Sequence, residues 1–122
     1  MSQYMLLIYT DEQAWQRLSD EERKSITREY FAYADGLREA GAYVTGAPLE
    51  PTSAASSVRV RDGRELVTDG PFAETKEQLG GYFLIEAESL DAAIDWAGKL
   101  PSVRYGSIEV RPVLAVPAEA PA

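Results

Sequence analysis

Tyr4-Met5-Leu6-Leu7-Ile8-Tyr9 is an unbroken apolar run close to the amino terminus. A strand with one wet face alternates apolar and polar residues, so an uninterrupted run of this length marks a strand covered on both faces. The elements that follow supply cover for one of those faces. Thr10 and Asp11 turn the chain into a short polar connector around Trp15. Ser19-Asp20-Glu21-Glu22 is then a capping box, with Ser19 as N-cap, Glu22 three positions on and carboxylates at the positive end of the helix. Ile26, Tyr30, Tyr33, Ala34 and Leu37 follow at helical spacing, and Gly41 is a stop signal, which predicts a helix over roughly 20–40.

Working outward, Tyr43 to Thr45 begins a second strand ending near Pro48, and 51–57 is small, polar and loop-like. Val58-Arg59-Val60-Arg61 alternates, Asp62-Gly63 is a hairpin turn, and Glu65-Leu66-Val67-Thr68 returns. Asp69-Gly70-Pro71-Phe72 breaks that strand, and a charged connector leads to a strand over 80–86 with two glycines at its entry. Ser89 caps a second helix, in which Leu90, Ala93, Ile94 and Ala97 repeat at helical spacing before Leu100-Pro101 ends it. Ser107 to Arg111 alternates as a last strand. The order β-α-β, hairpin, β-α-β predicts an α+β, ferredoxin-like split βαβ sheet with an inserted hairpin and both helices on one face. One domain spans 1–113, and 114–122, with Pro117 and Pro121, reads as a poorly ordered C-terminal tail. The second face of the first strand then needs a partner, and a second copy of the chain is the economical one, predicting a homodimer.

Composition narrows the chemistry. The chain has 122 residues, 45% hydrophobic and 26% charged, enough for one folded domain. Twenty acidic against twelve basic residues give a net charge of −8, which repels phosphate backbones and argues against direct nucleic acid binding. With no cysteine, disulfides, thiolate nucleophiles and Cys-based zinc sites are excluded. With no histidine, the commonest general base and the Ser–His dyad go too. No cofactor or metal is implied. No run is long enough for a membrane span and no leader-like segment is visible, so the expectation is a cytoplasmic protein that does not engage a membrane.

The string Val67-Thr68-Asp69-Gly70-Pro71-Phe72-Ala73-Glu74-Thr75-Lys76-Glu77-Gln78-Leu79-Gly80-Gly81-Tyr82-Phe83 resembles the signature of the YCII-related family in its DGPF subgroup. The start, Tyr4 to Tyr9, and the end, Gly106 to Pro112, are similar to that family as well. The resemblance implies a dimeric α+β barrel, two ferredoxin-like sheets face to face with helices outside. Some relatives carry a His–Asp pair in a cleft. That histidine falls near Tyr30 here, and a chain without histidine cannot use the pair. DGPF members often lie beside extracytoplasmic-function sigma factors, an association of genes that makes a ligand-sensing or interaction module as reasonable as an enzyme.

The motif's ionisable residues are the site candidates. Asp69 has two readings: a turn former that bonds nearby backbone N–H groups, or a partly buried carboxylate with raised pKa acting as acid or base. Lys76 is its natural counter-charge, or a binder of an anionic ligand. Glu74 and Glu77 stand at i, i+3 and would share a face on a helical turn, as a carboxylate pair or as solvated surface. Gly80-Gly81 lacks the context of a phosphate loop and reads as a bulge or close backbone approach. Arg59 and Arg61 fit the wet face of a hairpin, whereas Arg111, on a strand inside the sheet, is the better pocket residue. Tyr9, Tyr30 and Tyr82 offer phenols for hydrogen bonding, with aromatic packing as their default. The expectation is a small polar or anionic molecule bound near 69–77 by Lys76, Glu74, Glu77, Arg111, Tyr9 and Tyr30, with Asp69 as the candidate acid–base group.

Overall fold

The computed structural model describes residues 1–116. Six strands and three helices run β1 (Ser2–Thr10), α1 (Glu12–Gln16), α2 (Asp20–Glu39), β2 (Tyr43–Pro48), β3 (Ser56–Arg61), β4 (Arg64–Asp69), β5 (Gln78–Ala87), α3 (Leu90–Gly98) and β6 (Ser107–Pro112). Short 3₁₀ turns sit at Thr52–Ala54 and Pro101–Arg104. Four strands form one antiparallel sheet in the order β2-β5-β1-β6, an order compatible with the ferredoxin-like arrangement, and β3 and β4 form a separate two-stranded sheet. The predicted tail from 114 onward falls largely outside the described residues.

The apolar first strand becomes the centre of the sheet, flanked by β5 and β6. Tyr4, Leu6 and Ile8 point to one face and are buried. There they meet Leu37 of α2, Ile85 of β5, Ala93 and Ala97 of α3, and Leu100. Burying a side chain of the Leu6, Leu37 or Ile85 kind contributes roughly 1.5–3 kcal/mol. Tyr33 ties the layers together. Its ring lies 5.3 Å from Phe83 of the sheet and 6.1 Å from Trp96 of α3, and its hydroxyl donates to the Trp96 carbonyl at 2.8 Å. The α2 start is as expected: Ser19 accepts from Glu22 N–H at 3.1 Å and Glu22 reaches back to Ser19 N–H at 2.9 Å.

Met5, Leu7 and Tyr9 point to the opposite face, which no helix covers, and are half-buried only by their neighbours in the sheet. Registered beside them are Tyr82 and Leu84 on β5, and Glu109 and Arg111 on β6. The helices thus cover one face of a strand that is apolar on both.

Two departures concern the connections. The connector around Trp15 contains α1, a helix of five residues opened by Asp11, whose carboxylate accepts from Gln13 N–H at 3.0 Å. A single turn is too short to show helical periodicity. The hairpin forms where expected, with Asp62 and Gly63 both at positive φ as a primed turn demands. It does not, however, have one wet face: every residue of β3 and β4 except half-buried Ser57 is exposed. The glycine pair at the β5 entry behaves as a bulge and a close approach. Ile8 pairs with Gly81 and Tyr9 with Leu79, leaving Gly80 outside the register, and a Cβ on Gly81 would sit 3.0 Å from the Ala47 carbonyl oxygen.

Candidate functional site

At the carboxyl end of β1 the chain turns through Asp11 into α1, and the 70–78 segment passes opposite. Between them lies a cleft of about 560 Å³. Asp11, Glu12 and Gln13 form one wall, Thr52 and Ser53 a second, and Gly70, Pro71, Ala73 to Lys76 and Gln78 the third.

Hydrogen bonds between the walls hold the cleft open. The Glu12 carboxylate accepts from the Thr52 backbone N–H at 2.7 Å and from its hydroxyl at 2.8 Å, joining α1 to the loop after β2. The Gln78 side-chain carbonyl accepts from Glu12 N–H at 3.0 Å, and its amide donates to the Thr75 carbonyl at 2.5 Å, joining α1 to the third wall. Asp11 is occupied as the cap of α1. Glu74 and Lys76 make no side-chain hydrogen bond or ion pair among the described residues, although both line the cleft. Three carboxylates, Asp11, Glu12 and Glu74, face one ammonium, Lys76. That balance favours a bound group carrying positive charge or several N–H donors over an anion.

The other candidates divide between places. Asp69 ends β4, exposed and outside the cleft lining, and makes no side-chain hydrogen bond among the described residues. The turn beside it is held without it: the Gly70 N–H donates to the Ala55 carbonyl at 2.7 Å, and the Gly70 carbonyl accepts from Ser57 Oγ at 2.9 Å. Gly70 carries the positive φ, +96°. Glu74 and Glu77 do not share a helical face, because 71–77 contains no helix. Pro71 supplies no N–H, the Thr75 hydroxyl donates to the Glu77 carbonyl, and Glu77 turns away to accept from Ser107 Oγ at 2.9 Å.

Tyr9 and Arg111 do meet, on the open face of the sheet, through Glu109. The Tyr9 hydroxyl donates to Glu109 Oε1 at 3.2 Å, and Arg111 donates to Glu109 Oε2. Partial burial, then the bond to Glu109, pushes the Tyr9 phenol above its ordinary value. The hydrogen-bonded guanidinium of Arg111 holds the Glu109 carboxyl below the usual range. Tyr30 lies apart on α2, where its hydroxyl hydrogen-bonds the buried Ser102 and burial raises its pKa strongly. A second groove on that helical side, of about 440 Å³, is lined by Glu29, Tyr33, Lys99, Leu100 and Arg104, with Arg104 paired to Glu29 at 2.7 Å.

Sequence reasoning missed Asp11, Glu12, Thr52 and Gln78 as site residues. Asp11 carried a usable signal, an Asp N-cap followed by Glu. Glu109 shares strand parity with Arg111, and that parity is what pairs them. The Glu12–Thr52 contact spans 40 residues and leaves no local trace.

The model of the YCII-related domain matches residues 2–117, and the chain belongs to that family. It is also similar to an uncharacterized protein of Rhizobium meliloti (strain 1021), 44% identical over 121 residues, which cover 97% of this chain and 98% of that one. No described helix is long and apolar enough to cross a membrane.

Proposed function

We propose that this chain is a member of the DGPF subgroup that acts as a homodimeric, cytoplasmic binding module, holding a small polar molecule in the cleft between α1 and the 70–78 segment. One observation carries the reading: Glu74 and Lys76 have no side-chain partner among the described residues, in a cleft whose walls are joined by Glu12, Thr52 and Gln78. Glu74 would receive a cationic or N–H-bearing part of the ligand and Lys76 an acceptor on it. The acidic lining supports an amine-bearing ligand over the anionic class. The exposed position of Asp69 supports binding without catalysis, and ligand sensing suits the sigma-factor association that the family resemblance implies. The second copy would cover the open sheet face around Met5, Leu7, Tyr82 and Leu84, enclosing Tyr9, Glu109 and Arg111.

A thermal-shift screen of diamines and basic amino acids against dicarboxylates tests the binding reading. A true ligand at a hundred times its Kd stabilises the fold by about 2.7 kcal/mol. The expected result is a saturable rise in Tm with an amine-bearing compound, lost in Glu74→Ala. A rise given only by dicarboxylates, or one indifferent to Glu74→Ala and Lys76→Ala, refutes it. Light scattering tests the dimer, and a monomer mass at micromolar concentration refutes that part.

A further inference from the structure

Among the described residues the β3–β4 ladder joins no other strand, and the hairpin is tied to the chain beside it by Ser57 to the Gly70 carbonyl and Arg59 to the Phe72 carbonyl. A two-stranded hairpin standing alone is at best marginally stable in water. Val58, Val60 and Val67 form a contiguous apolar patch on one face, with Glu65 opposite Val60 and Asp69 at its far end, and Arg59, Arg61, Arg64 and Leu66 share the other face. The three valines are 60%, 63% and 62% exposed, so the apolar face is in water. Three neighbouring valines in water on one side of a ribbon, with arginines on the other, form an apolar patch suited to packing on a partner.

The area needed by a dimer says on what. Four strands spaced ~4.8 Å apart, with about six residues each at ~3.4 Å, present roughly 400 Å² of flat sheet per copy. Two such faces meet over roughly 800 Å² of projected area together, at the small end for an association whose accessible surface must reach ~1,200 Å². An uncovered sheet face and an uncovered hairpin face on the same chain are complementary deficits. A two-fold pair satisfies both at once, because each copy receives the arm that it gives. We infer that the β3–β4 hairpin is an arm whose Val58, Val60 and Val67 patch packs on a second copy of this chain, leaving Arg59, Arg61 and Arg64 on the side turned away from it. The inference rests on the proposed dimer and adds the part that makes it tight.

Val58→Thr/Val60→Thr/Val67→Thr keeps the β-branched shape while making the face polar. Sedimentation equilibrium on wild type and variant, with circular dichroism to verify folding, separates the claims. The expected result is a dimeric wild type and a folded variant whose dimer dissociation constant rises at least tenfold. A wild type that is monomeric at ~100 µM overturns the dimer and the arm together. A dimeric wild type with a variant within twofold of it overturns the arm alone. Should the variant fail to fold, hydrogen exchange of the wild type decides: hairpin amides protected in the dimer and exposed on dilution support the arm, and protection independent of dilution refutes it. Salt-sensitive binding of duplex DNA that protects the same amides would likewise overturn it in favour of an arginine-led ribbon for nucleic acid.

Discussion

Replacing Glu12 by alanine tests whether the cleft is a built feature of the fold. Its carboxylate holds two bonds to Thr52, at 2.7 and 2.8 Å, and is half-buried. Hydrogen bonds to a charged group contribute about 1.5–3 kcal/mol each in favourable sites. Partial exposure and the sharing of one partner reduce that, so Glu12→Ala should cost about 2 kcal/mol in all. For a chain of this size the loss lowers Tm by roughly 8 °C. Glu12→Gln keeps an acceptor for Thr52 N–H, and its amide can donate to the hydroxyl in reverse sense, so it should cost about 1 kcal/mol. Thr52→Ala removes only the hydroxyl bond and should fall near the same value. Urea unfolding of the two alanine variants and their double mutant closes a cycle, in which a coupling of at least ~0.5 kcal/mol is expected. Additive costs, or a Glu12→Ala variant as stable as wild type, would show that the two walls are not joined as described.

Gly106→Ala should destabilise by about 2 kcal/mol in chemical denaturation, since its Cβ would lie 2.3 Å from the Tyr9 carbonyl oxygen at the end of the β1–β6 ladder; wild-type stability would refute that packing. Asp69→Ala should stay within about 0.5 kcal/mol of wild type, because no side-chain bond is lost, and a larger drop in the urea midpoint would restore a structural role to that carboxylate. Burial raises the folded-state phenol pKa of Tyr30 and Tyr33, so the folded protein keeps protons that the unfolded chain releases. Stability from this source is complete below about pH 10 and falls as pH rises further, and urea midpoints that stay flat from about pH 10 upward would contradict it. Exhaustive dialysis against a chelator should leave the melting curve unchanged, since Glu77 bonds Ser107 and does not join Glu74; a large fall in Tm would reveal a metal cage.

What was legible in the sequence had a period or a cap behind it. The unbroken Tyr4–Tyr9 run identified the central strand, the Ser19–Glu22 box located the start of α2, and Asp62-Gly63 located the hairpin turn. Each is a local rule that the surrounding structure has no reason to override. The site was harder. Glu74 and Lys76 could be picked from the 69–77 segment, yet their neighbours Asp11 and Thr52 arrive from distant parts of the chain. Glu74 and Glu77 separated because residues 71–77 bond through Thr75 and Gln78 in place of a helical turn. Tyr30 went to the helical layer because α2 turns that part of its face toward Ser102.

The most direct test of the cleft is a titration of isotope-labelled protein with the amine-bearing compound that gives the largest rise in Tm, followed by backbone amide shifts in magnetic resonance. The account predicts saturable changes concentrated at Glu12, Gln13, Thr52, Glu74 and Lys76, with little elsewhere. Saturable changes centred instead on the Lys99–Arg104 groove or on Tyr9 and Glu109, or none with any compound screened, would contradict it.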